Sequence, residues 1–195
     1  GTIKVDGKRA VINTPADAIR YRIGLVPEDR KGAGLVLNQS ISFNLTIGVL
    51  KSFIHGIRVD SNQENAIVDR YRNILSIKSS GPDQKCKELS GGNQQKVVIS
   101  KWIMANPKLL ILDEPTRGVD VGAKAEIHAL MCQFAAKGMA VIMISSELPE
   151  VMSMSDRVLV YHEGRISGEV SRSDILSESV TEKDILAKAF GDVAG

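Results

Sequence analysis

The run Leu109-Leu110-Ile111-Leu112, followed at once by Asp113-Glu114-Pro115-Thr116, constrains this chain more than any other stretch. An unbroken apolar segment of that length reads as a strand buried on both faces of a helix-flanked parallel sheet. The carboxyl ends of such strands are where α/β sheets gather ligands. A trailing Asp-Glu pair on its own is an ordinary strand exit. A second segment one helix upstream changes its meaning: Leu89-Ser90-Gly91-Gly92-Asn93-Gln94-Gln95 places a capping serine and two permissive glycines where a helix begins.

A helix start leaves backbone N–H groups without intrahelical acceptors and carries the positive end of the helix dipole, so it suits a phosphate. The amide run Asn93-Gln94-Gln95 falls in the first turn, where phosphate-binding groups would point. Together the two segments describe hydrolysis of a nucleoside triphosphate. Asp113 would hold Mg2+, directly or through water, and Glu114 would polarise the attacking water.

Thr2-Ile3-Lys4-Val5 and Arg9-Ala10-Val11-Ile12 alternate around Asp6-Gly7, a favoured two-residue hairpin turn. Thr14-Pro15 predicts a cap opening a short helix over 16–21, Ile23 to Val26 a strand stopped by Pro27, and the polar, glycine-rich 28–34 an exposed loop. Ile67, Tyr71, Ile74 and Leu75 predict a helix over 65–75, and residues 36–88 read as a helical subdomain inserted into an α/β core. A helix over 94–105 should bury Val98, Ile99, Trp102 and Ile103. After the strand 109–112 comes a helix over 123–136, with Ile127, Leu130, Met131 and Phe134 as its apolar stripe and Gly138 at its end. A strand over 139–144 runs into Ser145-Ser146-Glu147, read as a helix cap, and residues 157–161 and 165–170 form a hairpin around Glu163-Gly164. This alternation predicts an α/β fold with a mainly parallel sheet, residues 1–195 forming one partial domain.

At 195 residues and 43% hydrophobic content the chain can bury a substantial core. Its formal charge of +2, with lysines and arginines scattered among acids, argues against a nucleic-acid partner. Cys86 and Cys132 lie too far apart for a metal knuckle and imply a reducing compartment, and His55, His128 and His162 read as structural or solvated. No apolar stretch nears the roughly 20 residues that cross a bilayer, and the opening residues lack a signal-peptide layout. Any membrane role is therefore expected from the aqueous side.

The same strings resemble the ATP-binding cassette (ABC) ATPases. Leu89 to Gln95 looks like their signature motif, Leu109 to Glu114 like the Walker B strand, and Gly118-Val119-Asp120 like the D-loop. Val26-Pro27-Glu28-Asp29-Arg30-Lys31, the Asn-Gln-Gln ending of the signature, the string from Asp113 to Lys124 and Ser145-Ser146-Glu147 are similar to the C-terminal cassette of ribose-, galactose- and xylose-type sugar importer ATPases, whose single polypeptide carries two cassettes.

The resemblance implies a P-loop NTPase-like core, ATP and Mg2+, with Ser90, Gly91, Gly92, Asn93, Gln94 and Asp120 at the nucleotide, Asp113 at the metal and Glu114 as catalytic base. It implies three partners: a second cassette in the same polypeptide, a membrane permease whose coupling helix docks on the helical subdomain, and, indirectly, an extracytoplasmic sugar-binding protein. It also implies a peripheral place on the cytoplasmic face of the membrane.

Three departures from the family pattern carry mechanistic weight. No Gly-x-x-x-x-Gly-Lys-Ser/Thr occurs, since Gly7-Lys8-Arg9 and Lys51-Ser52 lack the spacing, so the resemblance implies a phosphate cradle before Gly1 and an inactive isolated chain. Glu28 stands where most members have the Q-loop glutamine, which contacts the metal and senses the transmembrane partner, so Glu28 is expected at the nucleotide and the metal. Ser146 stands at the switch-histidine position and has no imidazole to offer the γ-phosphate, so the site containing this Walker B strand should be slow.

The main contribution is therefore expected in trans, with Ser90, Gly91, Gly92 and Gln94 completing the partner cassette's site. Two other readings stand beside this one. The first is a non-hydrolysing assembly or regulatory module. The second is an ABC ATPase of DNA repair or translation, although the zinc modules, long coiled coils and basic arms of such proteins are missing from this sequence.

Overall fold

Asp6 and Gly7 both take positive φ, 51° and 75°. This is the turn that an Asp-Gly pair favours, and it closes β1 (Ile3–Val5) on β2 (Lys8–Ala10) in antiparallel register. The structure is a computed structural model that describes residues 1–50, 54–55, 58–59 and 61–191, with backbone alone at 54–55 and 58–59. Lys51, Ser52 and the side chain of His55 lie outside the described residues.

Thr14 caps α1 (Pro15–Arg20), accepting from Asp17 N at 3.2 Å, while Asp17 reciprocates by accepting from Thr14 N at 2.9 Å. The chain continues through β3 (Ile23–Val26) into a single π-type turn at Arg30–Gly34. The exposed loop expected over 28–34 is thus partly ordered: Gly34 is buried and Arg30 half-buried, because Asp29 ties the turn by accepting from Lys31 N and Gly32 N.

The expected helical segment comprises α2 (Ile41–Thr46), a short hairpin of β4 (Ile54–His55) with β5 (Arg58–Val59), α3 (Ser61–Ile74) and a 3-10 turn at Cys86–Glu88. Burial pushes the Cys86 thiol up to about 11, whereas Cys132 is exposed. Brief alkylation at about pH 8, read by peptide mapping, is expected to modify Cys132 and spare Cys86 until the chain unfolds, since only the thiolate reacts. Equal labelling of the two under native conditions would contradict this packing.

The remaining elements of the first unit are α4 (Gly91–Met104), β6 (Leu109–Asp113), α5 (Val121–Ala136) and β7 (Ala140–Ile144). β3, β6 and β7 form a parallel three-stranded sheet in that order, with Leu25, Ile111 and Ile142 in register. α5 buries the expected stripe of Ile127, Leu130, Met131 and Phe134, and Gly138 follows it at φ 86°.

One expectation fails here, because among the described residues the sheet is buried on one face only. Val26, Leu110 and Leu112 are fully buried, yet Leu25 and Ile142 are each 47% exposed on the other face. A run of apolar residues records that a strand wants cover on both sides, and it does not record whether the cover is present.

The chain divides into two compact units, Gly1–Ile144 and Ser145–Gly195. The second contains α6 (Leu148–Met154), the antiparallel hairpin β8 (Arg157–His162) with β9 (Arg165–Ser171), α7 (Arg172–Leu176) and α8 (Glu182–Ala189). Val158, Val160, Val170 and Ile185 form its core. The last two helices escaped the sequence reading although both carry a local signal. Ser171 with Asp174, and Thr181 with Asp184, repeat the reciprocal cap of α1, and the hydroxyl of each pair holds the aspartate below the usual carboxylate range. Among the described residues no helix is long and apolar enough to cross a membrane.

Candidate functional site

Two loops and one helix start of the first unit converge. β6 delivers Asp113, and the chain then turns sharply because Glu114 adopts φ 45°, a left-handed conformation that costs a non-glycine residue roughly 1–2 kcal/mol. Surrounding hydrogen bonds hold it there: Glu114 N donates to Ile144 O at 2.9 Å, Arg117 N to Glu114 O at 3.1 Å and Val119 N to Thr116 O at 3.3 Å. Asp113 and Glu114 are both half-exposed while Pro115 and Thr116 are buried, so the carboxylates stand at the mouth of the sheet on a closed support. The segment ends at Asp120, whose Oδ1 accepts from Ala123 N at 2.9 Å and caps α5.

The start of α4 lies beside that segment. Ser90 is exposed, and its Oγ accepts from Asn93 N at 3.4 Å and from Asn93 Nδ2 at 2.9 Å. Gly91 is half-exposed, and a Cβ added there would come within 3.2 Å of Gly118 O and 3.0 Å of Arg30 Nη2. Gly91 N and Gly92 N belong to the turn that has no intrahelical acceptor.

Four candidate residues have structural duties the sequence reading missed. Gln94 is buried and turned inward, its Nε2 donating to Cys86 O at 3.1 Å, and Gln95 is buried too. Asn93 Oδ1 accepts from Lys78 N at 2.8 Å, so this amide ties the helix start to the loop after α3. The amide run expected to point at a phosphate is therefore mostly framework, because 3.6 residues per turn send consecutive side chains to different faces. Gly92 is buried against α5, where an added Cβ would stand 2.3 Å from Ala123 Cβ. Glu28, expected at a metal, forms an ion pair with Arg117 instead.

Lys96 belongs to none of the strings singled out in the sequence, and Arg30 stands in one of them without a role assigned to its side chain. Lys96 is fully buried in α4 and donates to Ser76 O at 3.0 Å and to Glu126, whose carboxyl its hydrogen bond and charge hold low. Arg30 donates to the carbonyls of Arg117, at 2.8 Å, and Gly118, at 3.2 Å.

Ser146 belongs to the second unit and is exposed. Beside it Ser145 Oγ donates to Glu150 at 2.6 Å and accepts from Glu147 N at 3.0 Å, which replaces the simple helix cap expected there. The structure thus brings Gly91 against Gly118 and Gly92 against Asp120 and Ala123, with Glu28 tied to the same segment through Arg117. Among the described residues no three His, Cys, Asp or Glu side chains cluster as a metal site.

Residues 1–117 match the ABC transporter family. The chain is 51% identical over 180 residues to the ribose import ATP-binding protein RbsA of Bacillus licheniformis, covering 92% of this chain and 36% of that protein. It is 48% identical over 180 residues to a putative ribose/galactose/methyl galactoside import ATP-binding protein of Rhizobium etli, covering 92% of this chain and 34% of the relative. The chain thus spans about a third of the length of these relatives.

In fold it is similar to a nucleotide-free ATP-binding cassette from an ABC transporter, with a TM-score of 0.75 at 23% identity over 95% of this chain and 75% of the other. It is also similar to a dimeric cassette in a post-hydrolysis state bound to ADP and Pi, with a TM-score of 0.72 at 18% identity over 88% of this chain and 73% of that one.

Proposed function

We propose, starting from the fact that this chain belongs to the ABC transporter family, that it forms the signature- and Walker B-bearing part of a nucleotide-binding cassette in an ATP-driven monosaccharide importer. The observation that carries this reading is the packing of the Gly91 helix start against Gly118 of the segment after β6, which sets an edge for the chain's own site beside an edge for its partner's. Sugar import is supported by the relatives' identities of 51% and 48%.

The residues fit their assigned work. Asp113 is a hard oxygen donor, half-exposed at a strand end, and suits Mg2+. When bound, that ion would draw charge off the terminal phosphates of ATP. Glu28 reaches the metal only after releasing Arg117, so Asp113 is the primary ligand. Glu114 orients and deprotonates the attacking water, its backbone fixed by the turn that follows β6. Ser90 and Gly91 present the helix start to the γ-phosphate held by the partner cassette, with Gly92, Asn93 and Gln94 setting the helix in place and Asp120 holding the adjoining cap.

Residues 1–195 contain no Gly-x-x-x-x-Gly-Lys-Ser/Thr string. The exposed row of Leu25 and Ile142 supports a cover supplied by another segment of the full-length protein. Residues 36–88 receive the permease, a sugar-binding protein acts further out, and the cassette sits peripherally on the cytoplasmic side without nucleic acid.

The test is ATP turnover by the full-length protein with its permease. Ser146 makes this cassette's own site the slower of two, so Glu114→Gln is expected to remove no more than about half of total turnover. A lone general base in an only site contributes about 10²–10⁴. Near-complete loss would reject the slow-site assignment, and an assembly without ATP turnover would reject the importer reading.

A further inference from the structure

Arg30 lies within the string Val26 to Lys31, but no role in nucleotide or metal binding is assigned to its side chain. It opens the turn after β3, and Asp29 fixes that turn through Lys31 N at 3.1 Å, Gly32 N at 2.9 Å and its own carbonyl to Ala33 N at 2.9 Å. From this anchored base the guanidinium crosses to a segment 87 positions later in the chain. There Nη1 donates to Arg117 O at 2.8 Å and Nη2 to Gly118 O at 3.2 Å. Its Nε is buried and finds no acceptor among the described residues, so the two carbonyls are what holds the group.

Gly91 closes the arrangement. A Cβ there would lie 3.0 Å from Arg30 Nη2 and 3.2 Å from Gly118 O, so the helix start abuts both members of the clamp and a side chain there would press on both. Gly118 itself takes φ 66°, which presents its carbonyl at this point without the strain another residue would bear. The ion pair of Arg117 with Glu28 then ties the same two loops in the reverse direction.

We infer that Arg30 is a positioning residue: its fork fixes the spacing between the Gly91 helix start and the segment that runs from Glu114 to Asp120. The inference rests on the cassette reading above. One edge of this group serves the water in the chain's own site, and the other faces the phosphate of the partner, so a single guanidinium sets both. A planar fork with two directed donors can hold two carbonyls at once, whereas an ammonium is a point charge on a flexible stem and cannot reproduce that geometry. Arg30 acts through the backbone it grips.

The experiment is steady-state ATP hydrolysis by the full-length protein with its permease, comparing wild type, Arg30→Met and Arg30→Lys, with a thermal midpoint for each. Misplacing a reacting edge by about 1 Å costs up to about 10²-fold. Arg30→Met is therefore expected to lower kcat at least about tenfold with KM for ATP changed less than about threefold. Arg30→Lys should recover only part of kcat while restoring the thermal midpoint.

A kcat within about twofold of wild type in both variants overturns the inference and leaves the cassette reading intact. A kcat that simply follows the thermal midpoint, fully restored by lysine, also overturns it, since that outcome makes Arg30 a packing residue. If Arg30→Met does not fold, the Arg30→Lys comparison decides alone. A wild-type assembly that hydrolyses no ATP sinks the cassette reading and this inference together.

Discussion

Ser90→Asp is expected to leave the fold standing while removing about 10²-fold of the ATP turnover of the full-length assembly. Aspartate caps a helix as well as serine does, so the bond from Asn93 N survives, and a negative charge at a helix start is favourable to the helix itself. What changes is the electrostatics of the space beyond the cap. Two unit charges about 4 Å apart interact by about 4 kcal/mol at an effective dielectric near 20, which corresponds to about 10³ in rate. Ser90 is exposed, so part of that is screened and about 10² remains.

Ser90→Ala is the companion variant, because it removes the hydroxyl and costs the cap about 1 kcal/mol without adding charge. Turnover measured beside the thermal midpoint separates the two effects. Should Ser90→Asp keep more than half of wild-type turnover, no phosphate approaches this helix start. Comparison with Glu114→Gln adds direction: if the chain works mainly in trans, the capping-residue variant loses far more than the loss of its own base.

The second large effect concerns Gly92, and it is a packing effect. A methyl group there would sit 2.3 Å from Ala123 Cβ, whereas carbons pack at about 3.5–4.0 Å, so α4 and α5 must move apart by more than 1 Å or distort. Overpacking of this kind costs about 1–3 kcal/mol, and in a unit of this size each kcal/mol lowers the thermal midpoint by about 2–4 °C. Gly92→Ala is therefore expected to destabilise the full-length protein visibly.

Ala123→Gly alone loses about 1 kcal/mol of helix propensity. Combined with Gly92→Ala it should restore most of the lost midpoint, because the methyl simply changes sides. Additive destabilisation in the double variant would show that the two residues do not share the contact. It follows that loss of activity on putting a bulky residue at Gly92 says little about phosphate binding, since the helix pair fails first.

The comparison of sequence with structure divides along the range of the forces involved. Asp6-Gly7, the Thr14 cap, the apolar stripe of α5 and Gly138 each declare a local geometry, and the elements stand where those signals put them, within a few residues. The places of Ser90, Gly91, Asp113 and Glu114 were legible for the same reason: each stands at an element end, where capping and strand-exit chemistry leave a trace over four or five positions.

The amide run was misread because composition names a residue without saying which side of the helix it faces, and burial turned Gln94 and Gln95 into the fold. Caps at Ser171 and Thr181 were present in the sequence and went unread because their helices are only five and eight residues long.

The order of elements, the α/β class and the helix-start and strand-exit candidates from Ser90 to Gln94 and at Asp113 and Glu114 came from the chain's own pattern, because hydrogen-bonding caps and apolar periodicity act over a few neighbouring residues, whereas Glu28, Asp120 and Ser146 came from the family resemblance. Tertiary structure alone decided that Glu28 pairs with Arg117, that Lys96 is buried beside Glu126, and that Arg30 grips two carbonyls 87 and 88 positions away. Those contacts join surfaces brought together only by folding, and a guanidinium looks the same in the sequence whether it ends in water or on a backbone carbonyl.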